Sequence, residues 1–341
     1  MKYRIAWMKG DGIGPEISEA ALEVLNSIQE TFPVKFDIAF YDFGDRSKAE
    51  RGIALPEDTL EGIKGSDAAI KGPVGESAFE SIVTVRQKLD LYANIRPARS
   101  YDGIPSTMKI DAVIVRENTE DLYKGIEFEV QGVATSLRII SERATRRIAK
   151  VAAQYAMKRK RHVTVVHKAN VLRVSDGLFR RVAMDELSKS DLNVDEKYVD
   201  AMSMALIRNP EQFDVILTPN VYGDILSDEA SQIAGGLGFA ASANIGDSNA
   251  LFEPVHGSAP DIAGKGVANP YSMIMSLSMM LNHIGISRSD SGALMASSAI
   301  SLAVEKSIKD GILTLDAGGR LRTKDVGMEL AKRVKEFVQT G

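Results

Sequence analysis

Asp224 and Asp228 stand four residues apart in Tyr-Gly-Asp-Ile-Leu-Ser-Asp, a spacing that puts both on one helix face with Cβ atoms roughly 5–6 Å apart. Two like charges so close repel. Either both face solvent, as aspartates at a helix start commonly do, or a hard divalent cation such as Mg²⁺ or Mn²⁺ lies between them, taking carboxylate oxygens and leaving positions for water or substrate. Asp200, in the apolar surroundings of Tyr-Val-Asp-Ala-Met, is a candidate third ligand. Arg86, Arg96 and Arg116 form a second set with apolar neighbours, where buried guanidiniums would need anions to pair with. Guanidinium grips carboxylate with two parallel donors, so an arginine cluster beside a divalent metal suits a substrate with two carboxylates. A surface salt bridge is the plain alternative for each arginine. Lys168 and Tyr123 are acid–base candidates: like charge from a metal and arginines favours the neutral form of an amine, and a phenol can give up a proton. For Tyr123 the plain alternative is a core position.

The elements that must hold these groups alternate short apolar strands with longer amphipathic helices, an α/β pattern with a largely buried sheet. Tyr3–Met8 reads as a strand and Pro15–Thr31 as a helix, with proline in its first turn and Glu16 and Glu19 complementing the dipole. Three later strands each end in a polar residue: Asp111–Val115 before Arg116, His162–Val166 before His167 and Lys168, and Phe213–Leu217 before Thr218-Pro219-Asn220. Ligands gather outside the carboxyl ends of strands in such sheets, so these ends form one candidate site. A helix over Gly223–Ile233 carries the two aspartates. Gly10, Gly12 and Gly14 alternate and Pro15 follows, which is not the Gly-x-Gly-x-x-Gly dinucleotide fingerprint.

The chain has 341 residues, which favours two domains. Its 42 basic and 46 acidic residues give a net charge of −4, which removes the general electrostatic case for binding nucleic acid or an anionic membrane. Cysteine is absent and histidines number four, excluding thiolate chemistry, disulfides and a histidine cage. The run Ile5–Met8 is too short for a signal-peptide core or a membrane span, so a soluble, cytoplasmic protein is expected. The stretch Gly223–Gly266 holds eight of the 28 glycines, as unusual backbone angles or close approach of a ligand to the main chain would require. Ser272–Leu281, with four methionines, reads as a buried helix of core or subunit-interface character. The basic run Lys158–Arg161 closes a helix beginning near Glu142, a solvated end rather than a nucleic-acid patch.

Together the motifs resemble a known family, the metal-dependent β-decarboxylating dehydrogenases of 3-isopropylmalate, isocitrate and homoisocitrate. The matching stretches are Gly10–Glu16, Leu89–Arg96, Val113–Tyr123, His167–Leu172, Asp200–Met202, Gly223–Asp228 and Glu253–Ala263, in family order through nearly the whole chain. The resemblance implies that Arg86, Arg96 and Arg116 hold the substrate carboxylates. It makes Asp224 and Asp228, with Asp200 from a partner subunit, the ligands of Mg²⁺ or Mn²⁺. It makes Lys168, also from the partner, the base at the C2 hydroxyl, and Tyr123 the acid at the enol, so a homodimer with shared sites is implied.

The implied fold is not Rossmann-like. It has two α/β domains, a cofactor-side domain of about 1–95 plus 236–341 and a substrate, metal and dimerisation domain of about 96–235. The cofactor would lie along Glu253–Asn269 with Ile13 nearby, touching Glu253, His256, Gly257, Ser258, Ala259, Asp261, Ile262 and Asn269. Asp261 would accept from ribose hydroxyls and repel a 2′-phosphate, implying NAD⁺. Ile82, four before Arg86, is the position that meets the substrate's variable group, with Val83 beside it. An apolar contact there suits the isopropyl group, and Gly72–Asn94 looks like archaeal members acting on 3-isopropylmalate in leucine biosynthesis. Phe79 departs from bacterial members, which carry a glutamate there; Glu76 or Glu80 is the candidate replacement. The alternatives are isocitrate or homoisocitrate as substrate and, more remotely, a non-catalytic regulatory subunit.

Overall fold

A computed structural model describes residues 1–339. Its centre is one ten-stranded sheet. Strand Lys2–Met8 has Ile5, Ala6, Trp7 and Met8 buried on both faces, the continuous apolar run of a strand covered on both sides. It pairs in parallel with Lys35–Phe40 and Ala68–Lys71, and the latter with Ala250–Pro254. On the other flank, Asp111–Glu117, Val215–Thr218, His162–His167 and Asn193–Tyr198 are likewise parallel neighbours. Two strands join the flanks by three successive reversals: Ala241–Ile245 is antiparallel to Ala250–Pro254 and to Ala93–Arg99, which is antiparallel to Asp111–Glu117, so the two flanks run in opposite directions.

Register decides which side chains meet. Thr218, Arg116, Asn94 and Asn244 stand opposite one another across four strands, and Ser242 opposes Glu253. Directly opposed residues and those two apart on a strand share a face. Arg116, Asn94, Arg96, Asn244 and Glu253 therefore project to the same side of the sheet.

The helices follow their apolar stripes with shifted ends. Gly14–Thr31 buries Ile17, Ala21, Val24, Leu25 and Ile28. The aspartate helix runs Asn220–Ala234, three residues earlier at its start than the spacing predicts, because Pro219 takes the cap position where its missing N–H costs nothing. The helix from Glu142, capped by Ser141 Oγ at 3.2 Å from the Ala144 N–H, ends at Met157, short of the basic run. Arg159 turns back to Asp214 and Asp111, and Arg161 to Asp191, so this run is held by carboxylates. The methionine helix extends over Tyr271–Ser287 with Met273 and Met280 fully buried. A hairpin, Glu127–Val130 with Val133–Ser136, stands outside the main sheet. Among the described residues no helix is long and apolar enough to cross a membrane.

Candidate active site

The three arginines converge, with Tyr123 and Asp224, on one cavity of about 200 Å³. Arg116 is fully buried; its Nε and Nη2 donate to Asn220 Oδ1 at 3.0 and 2.7 Å, and its Nη1 to Asp224. Its guanidinium carbon lies 4.9 Å from the centre of the Tyr123 ring. Arg96 donates from Nε to Asn94 Oδ1 and from Nη1 to Ser227 Oγ, both at 2.8 Å. The same Nη1 lies 3.2 Å from Asp224 and 3.4 Å from Asp228, so the two aspartates share a face turned toward a cation. Arg86 donates to Glu253 Oε1 at 2.8 Å, while its buried Nε has no partner among the described residues. That idle donor is what a substrate carboxylate could take up.

Charge differentiates the acids. Burial raises the Asp224 carboxyl, but Arg116 and Arg96 outweigh it and hold the group at about 2. Asp228, with Arg96 as its main cation, is raised by burial. Burial also raises the Tyr123 phenol against the pull of Arg116, and the phenol donates to Asp224 Oδ2. At neutral pH Tyr123 therefore holds its proton beside an ionised carboxylate. Burial and then Arg96 bring Arg116 down to about 10, still charged at neutrality.

Ile82 and Val83 line the same cavity and are 6% exposed each. They belong to a widened turn, Phe79–Val83, that enters the short helix carrying Arg86; such π-turns often mark functional sites. Phe79 is exposed, and Glu80 faces outward to Lys48 at 2.6 Å. Neither Glu76 nor Glu80 is among the cavity's lining residues.

Lys168 leaves the end of strand His162–His167 and pairs with Asp200, in the first turn of helix Val199–Arg208. This partner holds the Asp200 carboxyl down. Neither residue lines the arginine cavity, and among the described residues no group of three or more His, Cys, Asp or Glu side chains gathers as a metal site. Within one chain, then, Asp224 and Asp228 come together and Asp200 stands apart with Lys168.

The residues expected along the cofactor fall in two places. Glu253 sits inside the cavity, with Lys71 Nζ at 2.7 Å and Arg86 on its two oxygens; burial raises its carboxyl, but these cations hold it well below the usual range. His256 and Gly257 line the cavity's rim. Ser258 meets the N-terminal turn: the Ile13 N–H donates to its carbonyl at 2.9 Å. A Cβ on Gly12 would fall 1.9 Å from that carbonyl oxygen, which explains a glycine there better than a phosphate cradle does. Ala259 has a positive φ of 41°, Asp261 is exposed and Ile262 is partly buried. Asn269 is buried, accepting the Tyr271 N–H at 3.0 Å and donating to Asp316 at 3.1 Å.

Sequence reasoning passed over Lys71, 2% exposed at the end of Ala68–Lys71, although a charged residue closing an apolar run is the very signal Arg116 gave. It also passed over Asn94 and Asn244, bonded to each other at 2.8 Å, Asn94 to Arg96 and Asn244 to Glu253 at 2.7 Å.

A family model described as isocitrate/isopropylmalate dehydrogenase matches residues 4–330. The chain belongs to the isocitrate/isopropylmalate dehydrogenase family. It is 48% identical to the 3-isopropylmalate dehydrogenase of Saccharolobus solfataricus, over 97% of this chain and 99% of that one. The homoisocitrate dehydrogenase of Methanocaldococcus jannaschii is 42% identical, over 98% of each chain. A crystal structure of isocitrate dehydrogenase from Methylococcus capsulatus superposes with a TM-score of 0.89 at 39% identity, covering 98% of this chain and 99% of that chain. The chain is thus an oxidoreductase of the decarboxylating dehydrogenase type.

The residues present fit the family's divalent metal and dinucleotide. Asp224 and Asp228 offer hard oxygen donors on one helix face, their side chains 35% and 54% exposed. At the other end of the cavity His256 keeps a buried Nε2 with no partner among the described residues, while its Nδ1 lies 3.0 Å from the Gly257 carbonyl. Burial lowers its pKa, which favours a neutral ring with one polar atom free to pair with a ligand.

Proposed function

We propose that this chain oxidatively decarboxylates (2R,3S)-3-isopropylmalate to 4-methyl-2-oxopentanoate and CO₂, using NAD⁺ and Mg²⁺ or Mn²⁺, in leucine biosynthesis and hence in the cytoplasm. The observation that carries this reading is the apolar wall of Ile82 and Val83 beside three converging arginines. Guanidiniums on one side suit two carboxylates, and two buried aliphatic side chains on the other suit an isopropyl group. A third carboxylate, as on isocitrate or homoisocitrate, would lose its hydration there without an ion pair.

When bound, NAD⁺ would supply the hydride acceptor, and the divalent ion would supply positive charge to stabilise the negative charge that develops on oxygen. The chain supplies the rest. Arg86, Arg96 and Arg116 bind and orient the carboxylates. Asp224 and Asp228, with the partner subunit's Asp200, would hold the ion. The partner subunit's Lys168 accepts the C2 hydroxyl proton, and Tyr123, protonated at neutrality, delivers a proton to C3 of the enol. Asp261, exposed on the loop beyond Ser258, suits ribose hydroxyls and disfavours a 2′-phosphate.

A homodimer is part of the reading. Met204 and Ile207 on helix Val199–Arg208, Ile225 on helix Asn220–Ala234, and Phe128, Val130 and Val133 on the hairpin are all more than half exposed, an apolar surface suited to a second copy. The division into a cofactor-side domain (1–95 and 236–341) and a substrate domain (96–235) places the cavity between the two. NAD⁺ reduction with Mg²⁺ and each of 3-isopropylmalate, isocitrate and homoisocitrate tests the substrate. A strong preference for 3-isopropylmalate is expected; comparable or faster turnover of either tricarboxylic acid refutes it.

A further inference from the structure

One guanidinium lies where the segments bearing Tyr123, Lys168 and Asp224 meet. Arg138, 13% exposed, donates from Nε to Asp121 Oδ1 at 2.7 Å and from Nη2 to Asp121 Oδ2 at 3.3 Å. Its Nη1 lies 2.7 Å from Asp176 Oδ1 and donates to the Tyr222 hydroxyl at 3.0 Å. The guanidinium also stacks 4.5 Å from the Tyr222 ring centre.

Each partner stands a short step from the chemistry. Asp121 is fully buried, with a positive φ of 66° that a non-glycine residue adopts only under constraint, and it caps the Leu122–Lys124 turn that presents Tyr123. Its Oδ2 accepts the Val221 N–H at 3.0 Å, at the start of the Asp224 helix. Asp176 is fully buried too, and its Oδ2 accepts the backbone N–H of Lys168 at 2.6 Å. Tyr222 precedes Asp224 by two residues. Two buried carboxylates tolerate one another only while a cation lies against both. Arg138 donates two hydrogen bonds to Asp121 and meets Asp176 Oδ1 by charge alone, since that oxygen has no hydrogen-bond partner among the described residues. The planar fork of arginine allows that span and the point charge of lysine does not.

We propose that Arg138 is a positioning residue for the dehydrogenase reaction, fixing the Tyr123 turn and the Lys168 loop against each other through Asp121 and Asp176. The proposal rests on the roles given above to Tyr123 and Lys168. Where Lys168 serves the partner's site, the same guanidinium ties the proton donor of one site to the base of the other.

Arg138→Ala would leave two buried carboxylates unpaired and threatens the fold, so the test uses Arg138→Lys in the full-length protein. Three quantities are measured: kcat and KM for 3-isopropylmalate; the single-turnover rate of NADH formation, which reports the Lys168 step; and the exchange of the C3 hydrogens of 4-methyl-2-oxopentanoate with D₂O by NMR, which reports the Tyr123 step. A fall in kcat of about tenfold or more is expected, with KM changed by less than about twofold and both partial rates lowered together. Arg147→Lys is the control. It removes a guanidinium paired with Asp90 and stacked 4.1 Å from Tyr92, and it should leave both partial rates as in the unaltered enzyme. Unchanged kcat in Arg138→Lys, loss of only one partial rate, or equal losses in Arg147→Lys would overturn the proposal while the functional reading stands. An unaltered protein inert in both partial reactions would overturn the two together.

Discussion

Gly223 performs no chemistry, yet the active site as built leaves no room for a side chain there. It sits one position before Asp224 in the first turns of the helix, and a Cβ there would fall 2.3 Å from Thr218 Oγ1 and 2.7 Å from Arg116 Cγ. Arg116 is fully buried beneath that helix, and its reach to both Asn220 and Asp224 depends on the missing methyl group. In Gly223→Ala, overpacking of about 1–3 kcal/mol exceeds the roughly 1 kcal/mol that alanine adds to helix propensity, and the strain falls on Arg116. The expected result is a KM for 3-isopropylmalate raised about tenfold or more with NAD⁺ affinity little changed, read from steady-state kinetics and cofactor titration. A variant with ordinary KM would mean that Arg116 does not bear on the substrate. Most of this site was legible as residue types: an aspartate pair at helical spacing, and arginines in apolar surroundings that had to find anions. What spacing left open was whether Asp224 and Asp228 face water: Asp224 turns in to Arg116 and Arg96, whereas Asp228, 54% exposed, meets both Arg96 and solvent. The buried Asn94–Asn244 chain was not legible, because an isolated asparagine in an apolar run carries no periodic signal.

At the scale of elements, the parallel flanks were readable from apolar runs that end in charged residues, and the long helices from their stripes. The two central antiparallel strands were not. Ala241–Ile245 reads Ala-Ser-Ala-Asn-Ile, small and polar enough to pass for part of the glycine-rich loop around it, and strands buried on both faces show no alternation to betray their direction. The N-terminal turn is the element whose purpose spacing left open. Its alternating glycines did not fit the dinucleotide fingerprint, and the structure shows a fastening. Asp11, 8% exposed, accepts the Asp45 N–H at 2.8 Å, the Arg46 N–H at 2.9 Å and the Gly75 N–H at 3.2 Å, while Ile13 is bonded to Ser258. One carboxylate thus clamps helix Gly44–Arg51 and the loop after Lys71 to the turn that touches the cofactor stretch. Asp11→Ala removes the acceptor for three backbone donors and should cost about 2 kcal/mol or more of stability, seen as a lower urea midpoint. It should also raise KM for NAD⁺ more than KM for the acid. An unchanged midpoint would show that water replaces the carboxylate and that the clamp is not structural.

For the whole molecule the decisive fact is a separation. One chain gathers Arg86, Arg96, Arg116, Tyr123 and Asp224 in one cavity, while Lys168 and Asp200 pair with each other outside it. On the proposed reading, Lys168 and Asp200 serve the cavity of a second copy, and the exposed apolar side chains on helices Val199–Arg208 and Asn220–Ala234 and on the hairpin are the surface offered to it. Closed two-fold pairing would then build two sites, each completed across the interface. The arrangement makes a quantitative prediction. Lys168→Ala and Asp224→Asn should each be inactive as homodimers, since one lacks the base and the other a metal ligand in every site. When the two variants are dissociated, mixed in equal amounts and reassociated, half of the dimers are mixed. In each mixed dimer one site combines an intact Asp224 with an intact Lys168, and the other lacks both. About a quarter of the activity of the unaltered enzyme should therefore return, rising as reassociation proceeds and absent when the two are mixed without dissociation. If each site were built within a single chain, mixing would restore nothing, and the roles of Lys168 and Asp200 across the interface would have to be abandoned.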